Sequence, residues 1–403
     1  MKSVLSIDVA NGKSEVLLIT EYGEVLIEPY EVNHCLNEFN LLKDKIDKFK
    51  LDDLTIFMES TSTYHLPIQR FFTKSNYNVQ VINPILGKNN TRNLRKTKTD
   101  IEDCYNLADL FFKNTVKIHT KNMNDIYSSM IELSRQEKHL TESLVRSKNR
   151  FKQIIANAFP EYIKCFTASD IFGKTSLNFI KEFPHADIIK EKRIDALANN
   201  LYKSSRKGCS YSKCLTKAKK IKELANNSYP GIDIDSCEVS NLINIVDIIS
   251  YNDSKLNDVK QDIVKLAKQT PYFNIINSIY GIGETSAAQI IAELGDINRF
   301  ENIKQLNAFC GLDPTIVQSG KSINYHGPIS KRGNKNARKV LFITCCSIIR
   351  SSVLHNVDND LLLYYRKKQA ENKHFKECIT ACSTKLLRII FAMCKNNSLY
   401  VQK

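Results

Sequence analysis

Apolar positions along the first 115 residues switch between two spacings, and the switching predicts a mixed α/β domain. Val4 to Val9 and Val16 to Thr20 are β-rich runs separated by Asn11-Gly12, a turn dipeptide, so they read as a hairpin. Helical spacing follows over 34–49 (Leu36, Phe39, Leu42, Ile46, Phe49), then a short apolar strand, Leu54 to Met58, that ends at Glu59. A helix near 66–74, a strand Val79 to Ile82 and a helix from about Lys98 to Phe112 complete the segment. The order ββ…α-β-α-β-α argues for a mixed sheet covered by helices.

The texture then becomes helical. Between 121 and 158, Ile126, Met130, Leu133, Leu140, Leu144, Phe151 and Ile155 recur at helical spacing among charges, without Gly or Pro before Pro160. This predicts one long helix, in the manner of a coiled-coil arm and a candidate for subunit pairing. Helical patterns near 175–183, 193–203, 213–227 and 238–268 follow, interrupted by Pro184, Gly208 and Pro230-Gly231. From 271 onward, Tyr280-Gly281-Ile282-Gly283 opens a helix that Gly295 stops, and a second helix lies near 302–309. A glycine-rich loop (Gly311, Gly320, Gly327, Gly333) leads to two more helices at 335–351 and 374–394. The expected organisation is therefore an α/β domain at 1–118, a long helix at 119–160, a helical region without a readable role at 161–270, and a mainly α domain at 271–395.

Composition is that of an ordinary globular protein, with 42% hydrophobic and 25% charged residues among 403. Charge changes the picture: 58 Lys+Arg against 43 Asp+Glu give +15, with a pI near 9.1. Such an excess suits a polyanion better than a small metabolite, because clustered cations release condensed counterions on meeting a phosphate backbone. No apolar run approaches the roughly 20 residues of a membrane span, and Asp8 stands where a signal peptide would be apolar. A cytoplasmic protein with no membrane partner is expected. The twelve cysteines include no CxxC pair; Cys209/Cys214, Cys345/Cys346 and Cys378/Cys382 lack zinc-finger spacing and read as reduced, mostly buried thiols.

Four carboxylates carry the candidate chemistry. Asp8 lies within an otherwise apolar strand, where an unpaired charge is costly to bury, and Glu59 ends a central strand. Asp100 and Asp103 are three apart on one helix face. If that helix packs across the sheet, the four can meet around a pair of hard divalent cations such as Mg²⁺. Two metals about 3.5–4 Å apart would stabilise the attacking and leaving oxygens of phosphodiester chemistry. Residues 60–99 contain no Asp or Glu but seven Lys or Arg, among them Arg92, Arg95, Lys96 and Lys98, a phosphate-contacting edge beside the acidic site.

At these residues a resemblance becomes specific. Ser6-Ile7-Asp8-Val9, Met58-Glu59-Ser60-Thr61 followed by Tyr64, Val81-Ile82-Asn83-Pro84, and Lys98-Thr99-Asp100-Ile101-Glu102-Asp103 resemble the RuvC-like (RNase H-like) domain of the insertion-sequence-110 family (IS110/IS1111 type) of DEDD transposases. That family includes the bridge-RNA-guided recombinases. The resemblance implies that Asp8, Glu59, Asp100 and Asp103 form its acidic tetrad. Ser62 stands where members commonly have glycine, and Cys104 where alanine usually follows the last aspartate.

Gly281-Ile282-Gly283 has no strand directly before it, so a helix-hairpin-helix, in which glycines let backbone N–H groups reach a phosphate, fits better than a dinucleotide turn. Further on, Ala308-Phe309-Cys310-Gly311-Leu312-Asp313-Pro314, Gln318-Ser319-Gly320 and Ser330-Lys331-Arg332-Gly333-Asn334 resemble the same family's C-terminal transposase domain. There a serine attacks the DNA phosphodiester and becomes covalently joined to it. The resemblance places that role on Ser319, with Ser322 and Ser330 as rivals. Residues 321–395 hold 15 Lys+Arg and 4 Asp+Glu, a surplus of 11. Lys331, Arg332, Lys335, Arg338 and Lys339 are the expected phosphate contacts, and Tyr364, Tyr365, Arg366, Lys367 and Lys368 set aromatic rings beside cations.

The expectation is thus a DNA transposase/recombinase acting on donor and target DNA. The resemblance further implies a composite site of Mg²⁺-binding carboxylates and Ser319, a structured guide RNA, and a homo-oligomer (dimer or tetramer). A RuvC-like nuclease of junction-resolvase type with a water nucleophile, and a nucleic-acid-binding protein without catalysis, are the alternatives.

Overall fold

The structure, a computed structural model, describes residues 1–82, 100–113, 126–167, 170–205, 209–319 and 323–401, excluding the side chains of 100, 316–319 and 323–326. It divides into two compact units, Met1–Asp125 and Ile126–Lys403.

The first unit runs β1 (Lys2–Val9), β2 (Lys13–Thr20), β3 (Val25–Asn33), α1 (Leu36–Asp47), β4 (Asp53–Glu59), α2 (Leu66–Lys74), β5 (Asn78–Ile82) and α3 (Asp100–Phe112). The sheet order is β3-β2-β1-β4-β5, with β1 antiparallel to β2 and parallel to β4. Period-two alternation sorts its side chains onto two faces. Leu5, Ile7, Val9, Ile56 and Met58 form one core with Phe39, Leu42 and Ile46 of α1 and Ile68 and Phe72 of α2. On the other face Val4, Phe57 and Ile82 pack under Leu107, Ala108, Leu110 and Phe111 of α3. The mixed sheet and its helices agree with the sequence reading, except that β3 has no counterpart in it. Pro29 interrupts the apolar pattern of that strand, and the structure accommodates it by placing β3 at the sheet edge.

The second unit is helical apart from one hairpin. It comprises α4 (Ile126–Ala158), α5 (Tyr162–Cys165), α6 (Lys174–Glu182), α7 (Ala186–Glu191), α8 (Ile194–Lys203), α9 (Tyr211–Asn226) and α10 (Cys237–Ala267). Then follow α11 (Phe273–Asn277), α12 (Glu284–Leu294), α13 (Ile303–Cys310), β6 (Pro314–Ser319), β7 (Ile323–Ile329), α14 (Lys335–Leu354), α15 (Asp360–Ala370) and α16 (Phe375–Asn396). The helices α4 and α10 pack along each other and run antiparallel. Met130 shares a core with Val259, Ile263 and the helices α11 to α16, whereas Leu144, Phe151 and Ile155 share a second core with Leu242, Ile249 and the helices α5 to α9.

Three sequence expectations change here. The long helix is not a coiled-coil arm standing apart: its apolar stripe packs within the chain against α10 and α12. The glycine-rich loop after Gly311 contains an antiparallel β-hairpin, because Thr315-Ile316-Val317 and Ile323-Asn324-Tyr325 are β-prone runs on either side of Gly320 in the sequence. Finally, α7 and α15 were not expected; α7 is short, and the leucines of α15 sit amid the charges read as a binding segment.

Candidate active site

Two adjacent parallel strands bring the first two carboxylates together. Ile7 of β1 is paired with Met58 of β4, so the next residues, Asp8 and Glu59, stand side by side at the carboxyl ends of their strands. Both fall on the face covered by α3, since Val4 and Phe57 have the same parity and pack under that helix. The direction of α3 follows from its contacts. Phe111, near its end, packs tilted against Phe57 with ring centroids 5.3 Å apart and lies under the Lys2 ammonium at the start of β1. Cys104, in its first turns, donates its thiol to the Glu15 carbonyl (3.3 Å), opposite Asp8 on β2. The helix therefore runs antiparallel to β1 and brings its first turns, with Asp100 and Asp103, to the end that carries Asp8 and Glu59.

Asp8, Glu59 and Asp103 are all half-buried. The Cys104 thiol registers the charge of this end. Burial, opposed by a backbone hydrogen bond from Asp8, pushes its pKa up to about 12, and the Asp8, Glu15 and Asp103 carboxylates add to the rise. Cys104 itself is completely buried, a small side chain that lets α3 approach β1 and β2. Glu15 is a further carboxylate on this face that the sequence reading missed. Its only sequence signal is the strand parity that sets it opposite Asp8 across the Asn11-Gly12 turn. Among the described residues no group of three or more His, Cys, Asp or Glu side chains is arranged to hold a metal ion. The Asp100 side chain lies outside that description, as do Arg92, Arg95, Lys96 and Lys98.

Ser62, three residues beyond Glu59, adopts φ +51°, the left-handed region that favours glycine. The turn it belongs to leaves β4 immediately after Glu59, where the Thr61 N–H donates to the Glu59 carbonyl at 2.9 Å.

In the second unit Ser319 is the last residue of β6, paired with Ile323 of β7; its side chain, and all of Ser322, lie outside the description. Ser330 follows β7, and its hydroxyl donates to the Asp313 carboxylate at 2.7 Å. The segment 330–334 then folds back on the end of α13. Gly311 takes φ +63° as the helix cap, and a Cβ on Gly333 would meet the Phe309 carbonyl oxygen at 2.2 Å. Arg338 pins the same place, donating to the Cys310 carbonyl (2.7 Å) and the Lys331 carbonyl (3.4 Å). Lys331, Arg332, Lys335 and Lys339 are exposed, and none of them is in an ion pair among the described residues. Arg366 and Lys368, by contrast, pair locally with Asp358 and Glu371.

The glycines of the 281–283 turn divide their roles. Gly281, at φ +80°, lets the turn close on α14, since a Cβ there would lie 3.1 Å from the Ile348 Cα. Gly283 caps α12, is exposed, and has nothing within 4 Å of its Cβ position.

Sequence reasoning also missed Glu293, which organises this region. Its buried carboxylate accepts from Ser134 (2.6 Å), from both Arg135 nitrogens (2.5 and 3.1 Å) and from Asn334 (3.0 Å), the N-cap of α14. Burial alone would raise its pKa, but these donors more than offset it and hold the carboxyl below its ordinary value.

Comparison with known proteins matches these two regions. Residues 5–160 match the IS110-type DEDD family model described as transposase, and residues 273–357 match the model described as transposase, IS116/IS110/IS902 family. Together they cover more than half of the chain. The chain belongs to the IS110 family of transposases. Among curated relatives, the transposase for insertion sequence element IS1111A of Coxiella burnetii is 30% identical over 148 residues, 37% of this chain and 40% of its own. The insertion element IS110 43.6 kDa protein of Streptomyces coelicolor is 25% identical over 143 residues, covering 35% of this chain and 33% of its own length. The pilin gene-inverting protein of Moraxella bovis is 28% identical over 159 residues, 37% of this chain and 48% of its own. The chain thus spans less than half the length of the curated relatives it matches.

Proposed function

We propose that the protein is a DNA transposase/recombinase of an insertion sequence, cutting and rejoining donor and target strands. The observation that carries this reading is the placement of Asp8 and Glu59 on neighbouring parallel strands beneath the first turns of α3, within a chain that matches both family models in order. A three-stranded antiparallel meander followed by two parallel strands supports a RuvC-like, RNase H-like reading of the first unit.

Asp8, Glu59, Asp100 and Asp103 are the residues that would hold Mg²⁺. Their donors are hard carboxylate oxygens, as that ion prefers, and the half-burial of Asp8, Glu59 and Asp103 leaves room for substrate phosphate and water. When bound, the cation supplies charge stabilisation at the phosphate. Ser319 is the proposed nucleophile: its Oγ loses its proton to solvent and bonds to phosphorus as the bond to one sugar oxygen breaks. That oxygen takes up a proton and leaves as a hydroxyl, and the covalent linkage keeps the energy of the phosphodiester for rejoining. Lys331, Arg332, Lys335 and Lys339 hold the backbone of the strand, with Arg92, Arg95, Lys96 and Lys98 doing so near the carboxylates. Gly283 presents the N–H groups of α12 to another phosphate. A structured RNA as guide and assembly of several copies around two DNAs complete the proposal.

The test is Mg²⁺-dependent strand exchange on donor and target DNA, with and without RNA transcribed from the flanks of the gene. Asp8→Asn and Asp103→Asn are expected to lower it about 10²–10³-fold, as losses of single preorganised charges do. Unchanged exchange in both variants would remove the carboxylates from the mechanism.

A further inference from the structure

The helices α5 to α9 form a module between α4 and α10 that lies outside both family matches, which end at 160 and resume at 273. It has its own apolar core and one strongly basic stretch of sequence: from Ala196 to Lys222 there are eight Lys or Arg and no Asp or Glu. Lys203, Lys213 and Lys217 of that stretch line a cleft of about 660 Å³ together with Lys174, with Asp170 as the carboxylate among its walls. Among the described residues none of these four lysines is in an ion pair. Lys217 lies with its ammonium 3.6 Å from the centre of the Phe166 ring, and burial lowers its pKa while Asp170 opposes the change. Concentrated positive charge in a partly desolvated cleft is unfavourable unless an anion completes it. Beside Lys203 and Lys213 in the chain, Tyr202 and Tyr211 expose their rings edge to face, 48% and 39% accessible with centroids 5.7 Å apart. An exposed aromatic pair next to lysines suits an unstacked base.

We propose that this cleft binds the phosphodiester backbone of an unpaired nucleic-acid segment, with its lysines on the phosphates and the tyrosine pair against a base. The ligand is an RNA loop or a single DNA strand, which share that chemistry. The module would give this chain a second polynucleotide contact, independent of the carboxylates and Ser319.

The test uses the full chain in EDTA, so that no cleavage is required, with a fluorescein-labelled RNA hairpin or single-stranded DNA of the same loop sequence. Anisotropy is titrated across a salt series for the wild type, for K174E/K203E/K213E and for K164E/K192E/R193E. All six residues are exposed, and the second set is of equal charge change outside the cleft. Three lost phosphate contacts on a single strand should reduce the slope of log affinity against log salt by about 2 in the cleft variant only. As a second readout, oligonucleotide should slow alkylation of Cys209, which lines the cleft, and leave the exposed Cys237 unchanged. Protection by RNA alone or by DNA alone identifies the source. Equal slopes in the two variants, or Cys209 alkylation unaffected by either oligonucleotide, would overturn the proposal.

Discussion

At the residue scale, the positions that stand out are those whose chemistry conflicts with their surroundings. Asp8 is legible in sequence because a charge interrupts an apolar strand, and Ser62 becomes informative once its backbone is seen. A non-glycine residue in the left-handed region is strained by about 1–2 kcal/mol, while glycine gives back part of that through the unfolded chain. Ser62→Gly should therefore raise the unfolding free energy by up to about 1 kcal/mol, measured by urea denaturation; a loss of stability would show that the serine side chain holds the turn. Gly333 is the opposite case. A methyl group there collides with carbonyl and amide atoms of the α13 end, none of which is a flexible side-chain tip. Gly333→Ala is expected to destabilise the second unit by about 1–3 kcal/mol and to weaken DNA binding by displacing Lys331 and Arg332. Unaltered stability and affinity would mean that the segment 330–334 rearranges without penalty. That close approach cannot be read from sequence, because the colliding atoms belong to residues more than twenty positions away.

At the scale of elements, the carboxylate end of the first unit was readable because three regular features coincide: two strands of period two that carry Asp8 and Glu59, and one helix of period 3.6 with Asp100 and Asp103 three apart. The Glu293 network was not. In Ala288-Gln289-Ile290-Ile291-Ala292-Glu293-Leu294 the glutamate reads as an ordinary solvated position, and its partner Arg135 lies 158 residues earlier. The network ties α4, α12 and the start of α14 into one piece, and so fixes where the basic segment after β7 begins. Replacing Glu293 by glutamine leaves the Arg135 guanidinium short of its counter-charge and should destabilise the second unit by about 3–5 kcal/mol. The sign of its pH dependence follows from the depressed folded-state pKa. The stabilisation is complete above the ordinary carboxyl value of 4.5 and is lost as pH falls through the lower folded value. Urea midpoints measured from pH 6 downward should fall more steeply in the wild type than in Glu293→Gln, and parallel curves would remove the carboxylate from the account. The hairpin β6–β7 was hidden for a different reason: Gly320 and Gly327 suggested an irregular loop, although the β-prone residues around them pair.

At the scale of the whole molecule, the surplus of charge lies next in sequence to the residues of the two proposed sites. The eleven excess cations of 321–395 surround and follow the serine-bearing hairpin, and the acid-free stretch 60–99 separates Glu59 from Asp100. Family membership was legible because short motifs persist in order across both matched regions. In the module α5–α9 only the helices α6, α8 and α9 were legible, and the cleft was not, since it depends on how these three meet. The central claim is that Ser319 takes the broken DNA strand onto itself. It is tested most directly by incubating the protein with donor and target DNA, Mg²⁺ and the flank-encoded RNA, then denaturing and probing for protein-linked strands. The wild type should yield a covalent adduct, and Ser319→Ala should bind DNA with unchanged affinity while losing adduct and exchange by at least about a thousandfold. An adduct of undiminished yield in Ser319→Ala, or exchange by the wild type through free ends alone, would contradict the account.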